Sequence, residues 1–201
     1  VGSEMWIRYR YKVVSLTNLI EALDKEELEK IILSFKSNSA HPNDIEIFLH
    51  KKAIQFERAA IASTYLVFER ETNILVGFFS LANKPLTMSK RNFDALSNNQ
   101  QNKLKQHGRA IGQKFQINSY LIGQLGKNFS NEASKLITGG DLLTLAFDKV
   151  EEASNIIRAK DVWLECENHP KLINFYSSFG FKTIAPHASK DELVVMILKI
   201  K

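Results

Sequence analysis

Two strand-like segments separated by one amphipathic helix constrain this fold most strongly. The segment NSYLIGQL at 118–125 and the segment DVWLECE at 161–167 are both compact and rich in apolar residues. Between them, apolar residues recur at helical spacing from Leu142 to Ile157. A strand, a helix and a strand in this order need a crossover connection. We therefore predict that the two strands pair in parallel.

Other segments predict a mixed sheet around this pair, flanked by helices. The turn-like RETN separates two segments rich in β-branched and aromatic residues, which together predict a β-hairpin. The predicted elements are a helical N-terminal region, a helix at 43–60, the hairpin strands at 63–69 and 73–82, a helix at 171–181 ended by Gly180, and a last strand at 192–200. The fold class that follows is a layered α/β or α+β domain.

One polar stretch interrupts this pattern. From Ser89 to about Gln116 the chain predicts either a helical insertion or a long mobile loop, and we place the insertion at about 84–116. Its cations are Lys84, Lys90, Arg91, Lys103, Lys105, Arg109 and Lys114, and Asp94 is its one acid. No linker divides the chain, so we predict one domain over 5–201. The preceding VGSE resembles a remnant of an expression vector.

Composition excludes several classes of protein. No apolar run is long enough to cross a bilayer and no signal-peptide pattern is present, so a cytoplasmic location is expected. The single cysteine, Cys166, has no partner for an internal disulfide. The five histidines lack ligand spacing, and we predict no metal site. The net charge of +5 suggests an anionic partner.

The segment KLITGGDLL at 135–143 places two glycines at the start of the long helix. The first turn of a helix has unpaired N–H groups and the positive end of the helix dipole, so it is suited to bind a phosphate. Thr138 and Asp141 also match a capping box, which stabilises a helix without any ligand. The capping box does not explain Gly139 and Gly140, each of which costs a helix interior about 1 kcal/mol.

These segments resemble the GNAT superfamily of acetyl-CoA-dependent N-acetyltransferases. In that family a Q/R-x-x-G-x-G/A loop opens a helix, and here Lys135, Thr138 and Gly140 occupy the three specified positions. The resemblance covers about 44–201, with specific motifs in 117–181. It implies a mostly antiparallel mixed sheet with a central parallel pair, and acetyl-CoA as co-substrate.

A second family pattern, N-x-x-x-x-x-x-Y-x-x-x-G-F, is matched by Tyr176, Gly180 and Phe181. His169 stands where the family has Asn, and Asn168 lies one place earlier. The resemblance implies that one strand pairs with the pantetheine arm and that the glycine loop holds the pyrophosphate. The cofactor-binding residues it implies are Ile122, Gly123, Gln124, Leu125, Lys135, Ile137, Thr138, Gly139, Gly140, Asp141, Asn168, His169 and Tyr176.

For catalysis, the resemblance implies that Tyr176 protonates the leaving thiolate. Glu165 and Glu167 alternate with Cys166 along a strand, so both point to the face opposite the cysteine and either is a candidate general base. Glu69 and His169 are further candidates for the base. Cys166 lacks an activating partner in the sequence, and we predict that it serves packing rather than forming an acetyl-enzyme.

The implied activity is direct transfer of an acetyl group from acetyl-CoA to a primary amine. Two alternatives stay open: a module that binds acyl-CoA or a partner without catalysis, and a toxin-like enzyme that acetylates aminoacyl-tRNA. The basic insertion has three interpretations, namely a solvated flexible face, an attraction for CoA or an acidic peptide, and an RNA-binding surface. The sequence specifies neither the acceptor nor the oligomeric state.

Overall fold

The computed structural model describes residues 2–188 and 193–200. They form two compact units. The first contains the described residues up to Ala82 together with Gly123–Lys149, and the second contains Asn83–Ile122 together with the described part of Val150–Lys201. The prediction of one domain over 5–201 stays a prediction.

The elements follow in chain order. They are α1 (Gly2–Arg10), β1 (Tyr11–Ser15), α2 (Leu16–Ala22), α3 (Lys25–Leu33), α4 (Asp44–Ile47), a π-helical turn (Phe48–Lys52), α5 (Ala53–Arg58), β2 (Ser63–Glu69), β3 (Leu75–Ala82), β4 (Leu86–Ser89), α6 (Lys90–Asp94), α7 (Asn98–Lys105), β5 (Gly108–Ile111), β6 (Lys114–Ile117), β7 (Ser119–Lys127), α8 (Ala133–Leu136), α9 (Gly139–Ile156), β8 (Asp161–Cys166), α10 (Pro170–Phe179), β9 (Lys182–Ala188) and β10 (Val194–Lys199).

In the first unit the strand order is β1, β2, β3 and then the C-terminal part of β7. The β2–β3 pair is antiparallel and confirms the predicted hairpin. One cluster of this unit packs Phe35, Phe48 and Phe78 together, with Phe35 and Phe78 edge to face at 5.0 Å between ring centroids. A second cluster packs Leu142 and Leu145 of α9 with residues of β2 and β3. The apolar stripe of α9 therefore faces the core from Leu142 to Val150, as its spacing indicated. Ile157, which was predicted to end the stripe, lies beyond the helix and is 62% exposed.

In the second unit the order is the N-terminal part of β7, then β8, β10 and β9. The β7–β8 pair is parallel, with Ser119 opposite Asp161 and Leu121 opposite Trp163, which confirms the predicted crossover. β8 and β10 are antiparallel, as are β10 and β9. Helix α10 ends at Gly180, whose φ of 116° lies in the left-handed region that favours glycine.

The segment at about 84–116 is not a long loop, and the prediction of a helical insertion is only partly correct because the segment also contains strands. It contains α6, α7 and three short strands in the order β4, β6, β5. Inward-facing Leu86, Met88, Phe115 and Ile117 pack in one cluster with Trp163 of β8. Each of these strands is only four residues long. Such short alternations carry too few apolar residues to stand out in a polar sequence.

Three further differences concern connections and edge strands. Strands β1 and β9 were not predicted. The strand predicted at 118–125 is observed as β7 at Ser119–Lys127, and the separate strand β6 just before it was not predicted. The short helix α8, which lies between β7 and α9, was not predicted either. These elements depend on edge pairing and local turns, for which apolar spacing carries little information.

Candidate active site

The first turn of α9 contains the predicted capping box. The hydroxyl oxygen of Thr138 accepts a hydrogen bond from the Asp141 amide at 3.1 Å, and the Asp141 carboxylate accepts one from the Thr138 amide at 3.2 Å. Two of the five amides at 137–141 are thus already bonded within the protein. The capping box accounts for these two residue types without any ligand.

The amides of Gly139 and Gly140 have no acceptor among the described residues. A Cβ added at Gly140 would meet only the Thr138 hydroxyl oxygen, at 3.8 Å, so it would project into open space. Neither glycine has a positive φ. Neither backbone conformation nor packing therefore requires glycine at 140. Two free amides beside open space at a helix N-terminus are the features of an anion site.

The other residues of this loop have separate placements. Ile137 buries its side chain in the core, at 2% exposure. The ammonium nitrogen of Lys135 lies 3.6 Å from a carboxylate oxygen of Glu132, and both side chains are largely exposed. One residue was not predicted: the Thr144 hydroxyl donates to the Gly140 carbonyl at 2.9 Å. The four-residue spacing of this contact along the helix was its only signal in the sequence.

Strand β7, which contains the residues predicted to bind the pantetheine arm, differs in pairing and burial along its length. β7 pairs with β8 only over Ser119–Leu121, so Ile122–Leu125 follow the last paired residue. Ile122 is buried, Gly123 is exposed, and Gln124 and Leu125 are half-buried.

On β8 the predicted alternation holds. Glu165 and Glu167 are exposed, and Cys166 between them is buried. Burial, followed by the nearby charge of Glu167, raises the pKa of the Cys166 thiol. Its sulfur lies 3.9 Å from that of Met196. A nucleophilic cysteine needs the opposite shift, toward the thiolate.

Tyr176 lies on α10 among aromatic rings. Its ring packs edge to face on Phe175 at 5.0 Å and on Phe181 at 5.9 Å. Burial, and secondarily the charge of Cys166, raises the pKa of Tyr176 to about 12. The phenol therefore keeps its proton throughout the physiological range, and its hydroxyl has no hydrogen-bond partner among the described residues.

Two candidates for the general base have structural contacts instead. Nδ1 of His169 accepts a hydrogen bond from the Lys171 amide and caps α10, while Asn168 beside it is exposed. Glu69 is the last residue of β2, and one of its carboxylate oxygens accepts from both the hydroxyl and the amide of Thr72 in the turn that follows. These bonds, with that of the Thr72 hydroxyl foremost, lower the pKa of Glu69.

Two searches of the described residues were negative. Within 2–188 and 193–200, no three His, Cys, Asp or Glu side chains group closely enough to hold a metal ion. No helix in the same residues combines the length and apolarity that a membrane crossing needs.

The strand order, the parallel β7–β8 pair and the long helix α9 between these two strands define a GNAT-like mixed α/β fold, as predicted. The structure is similar to AtaTR bound with AcCoA, at 17% identity, 95% coverage of this chain, 94% of that chain and a TM-score of 0.58. A Tyr→Phe mutant of KacT matches at 15% identity, 94% and 95% coverage and a TM-score of 0.62. AtaT complexed with acetyl-methionyl-tRNAfMet matches at 17% identity, 94% coverage of both chains and a TM-score of 0.62.

These identities establish a shared fold and nothing finer. No family model matches the sequence, and no curated protein does.

Proposed function

We propose that this chain is an N-acetyltransferase that moves an acetyl group from acetyl-CoA directly to a primary amine. The observation that carries the proposal is the pair of free amides at Gly139 and Gly140, beside a space that a Cβ at Gly140 would enter. The pyrophosphate of acetyl-CoA is the anion that would fill it. Structures of this fold with bound acetyl-CoA support the assignment.

Other residues of the loop would add to pyrophosphate binding. The Thr138 oxygen already accepts from Asp141, but its own hydrogen is free to donate to a phosphate oxygen. The exposed Lys135 lies just before the loop and would contribute a positive charge. Beyond the last residue that pairs with β8, the β7 backbone at Ile122–Leu125 would hydrogen-bond the pantetheine amides.

In the proposed reaction, the neutral amine nitrogen attacks the thioester carbonyl carbon. The carbon–sulfur bond then breaks, and coenzyme A leaves as a thiolate. The attacking nitrogen loses a proton to a base, for which Glu165 and Glu167 are the exposed candidates. The leaving sulfur receives a proton or a hydrogen bond from Tyr176, which is protonated at neutral pH.

Replacement of Cys166 distinguishes direct attack from an acetyl-enzyme. We expect Cys166→Ala to keep kcat within about threefold of wild type, because a thiol with a raised pKa is a poor nucleophile. The measurement is steady-state acetylation, with the acetyl-CoA affinity determined in parallel. A loss of several orders of magnitude in kcat at unchanged affinity would instead establish a covalent cysteine intermediate.

The acceptor class is the finer part of the proposal. An α-amino group, with an ordinary pKa of about 7.7–8.0, is partly neutral at pH 8, whereas a lysine side chain near about 10.4 is not. An α-amine therefore needs less help from a base. The exposed cations of 84–114 favour a polyanionic carrier of that amine, which makes aminoacyl-tRNA the second candidate. A solved structure of the similar AtaT has it complexed with acetyl-methionyl-tRNAfMet.

Base stacking is not the expected mode of RNA contact. The aromatic residues of the basic segment, Phe93 and Phe115, stack on each other at 3.8 Å between centroids and are buried. Binding would therefore rest on phosphate contacts and weaken steeply with salt.

The test is an acetyl-transfer assay on three acceptors: a small primary amine, a peptide with a free N-terminus, and methionyl-tRNA. We expect acetyl-CoA-dependent product with an α-amine acceptor. If tRNA is the acceptor, its KM will rise with salt while that of the peptide changes little. Binding of acetyl-CoA without product from any acceptor would support the non-catalytic module, and absence of binding would refute the proposal.

A further inference from the structure

A cavity of about 590 Å³ lies within the second unit and has no role in the proposed acetyl transfer. It is bounded by α7 and the turn after it and by β8, β9 and β10. The apolar part of its wall is formed by Leu96, Leu104, Ile184, Ile197 and Leu198. Its volume falls within the range of about 300–1,000 Å³ that is typical of small-molecule sites.

A buried pair of titratable groups also lines this cavity. Nε2 of His107 contacts the Oδ2 atom of Asp161, whose residue is 5% exposed. Burial raises the pKa of the Asp161 carboxyl, and His107, Lys199 and Lys160 act against that shift.

Three lysines from three different elements complete the lining. They are Lys103 of α7, Lys182 of β9 and Lys199 of β10, and each is exposed. Within 5–184 and 193–200, none of them forms an ion pair with an acidic side chain. Among the described residues that line the cavity, Asp161 is the one acid, and it contacts His107. The cavity therefore combines an apolar wall with three exposed lysines.

We propose that this cavity binds a small amphipathic organic anion, with a carboxylate near the three lysines and an apolar body against Leu104 and Ile184. Each part of the lining selects against a different ligand. A purely polar anion would leave the apolar wall without a partner, at a loss of about 25 cal/mol for each Å² left unburied. A neutral or cationic molecule of the same shape would lack the attraction of the lysines.

The test is calorimetric titration of decanoate into the full chain, compared with decanol and with decyltrimethylammonium, all below their micellar concentrations. We expect decanoate to bind at least about tenfold more tightly than either. The double variant Lys103→Glu with Lys182→Glu should weaken decanoate at least about tenfold. The matched control is Lys90→Glu with Lys114→Glu, which changes the net charge equally at exposed lysines outside the cavity.

Three outcomes would overturn the proposal: no binding of decanoate, binding of decanol as tight as that of decanoate, or equal weakening in the control variant. A second measurement needs no substitution. Decanoate should reduce amine labelling of Lys103, Lys182 and Lys199, read by mass spectrometry, while Lys90 keeps its labelling. Unchanged labelling of the three cavity lysines would also contradict the proposal. Neither measurement uses acetyl-CoA, so its result is independent of the proposed enzymatic activity.

Discussion

A Gly140→Asp variant is expected to bind acetyl-CoA at least about 100-fold more weakly than wild type, a loss of about 2.7 kcal/mol. The new carboxylate would project into the open space beside the free amides of Gly139 and Gly140. It would both occupy that space and repel the pyrophosphate. Calorimetric titration of acetyl-CoA measures the effect directly.

Although Gly140→Asp weakens acetyl-CoA binding, it should not destabilise the folded protein. An acidic residue in the first turn of a helix interacts favourably with the helix dipole, by about 0.3–1 kcal/mol, and glycine is a poor helix former. Gly140→Asp should therefore keep or raise the free energy of unfolding. Gly140→Ala should raise it by up to about 1 kcal/mol and weaken acetyl-CoA less than the aspartate does.

The control for added charge is Asn155→Asp, an exposed position near the other end of α9. Acetyl-CoA affinity should be unchanged there. If Gly140→Asp binds acetyl-CoA as well as wild type does, then the glycines are only part of a capped helix start and the pyrophosphate assignment is wrong.

Removal of the Tyr176 hydroxyl is expected to lower kcat by about 100-fold or more while acetyl-CoA affinity stays within about twofold. The ring of Tyr176→Phe keeps its packing against Phe175 and Phe181, so the change removes the proton donor alone. Steady-state kinetics with saturating acetyl-CoA, together with calorimetry, separates the two quantities. Tyr9→Phe, at a residue 71% exposed, is the matched control and should behave as wild type.

The pH dependence gives a further check on this role. Burial raises the pKa of Tyr176 to about 12, so the phenol stays protonated as pH rises through the range from 6 to about 10. Ionisation of Tyr176 should therefore not lower the wild-type rate in that range. Any fall in rate that is observed there should also appear in Tyr176→Phe. If Tyr176→Phe has a kcat near that of wild type, the Tyr176 ring only packs against Phe175 and Phe181 and does not donate a proton.

The sequence was most informative where one local rule decided the outcome. The stripe from Leu142 onward identified α9, and the strand–helix–strand order implied the parallel pair of β7 and β8. The alternation of Glu165, Cys166 and Glu167 fixed which side chains are exposed. In each case a repeat of about 3.6 or 2 residues determines one face of an element, and burial follows from the face.

The same rules were weak where contacts distant in sequence decide the structure. His107 and Asp161 are 54 residues apart and meet at a cavity that no motif indicated. Neither residue was singled out, because a lone histidine and a lone aspartate carry no signal until the fold brings them together. Of the three cavity lysines, Lys103 was identified only as part of the basic stretch, and Lys182 and Lys199 were not singled out.

By itself, the sequence determined the fold class, the order of the main elements and the glycine loop at the start of α9, because these follow from periodicity, chain connectivity and local capping. Only the tertiary structure decided that 84–116 builds a three-stranded sheet, that the Gly140 position opens onto free space, and that Glu69 and His169 are engaged in a turn and a helix cap. The first two outcomes depend on which groups meet across long sequence separations, and the free energy of such contacts is not encoded in any short stretch of the chain. The bonds of Glu69 to Thr72 and of His169 to Lys171 are local, but the sequence also allowed a catalytic role for each of these side chains, and only the structure distinguished the two.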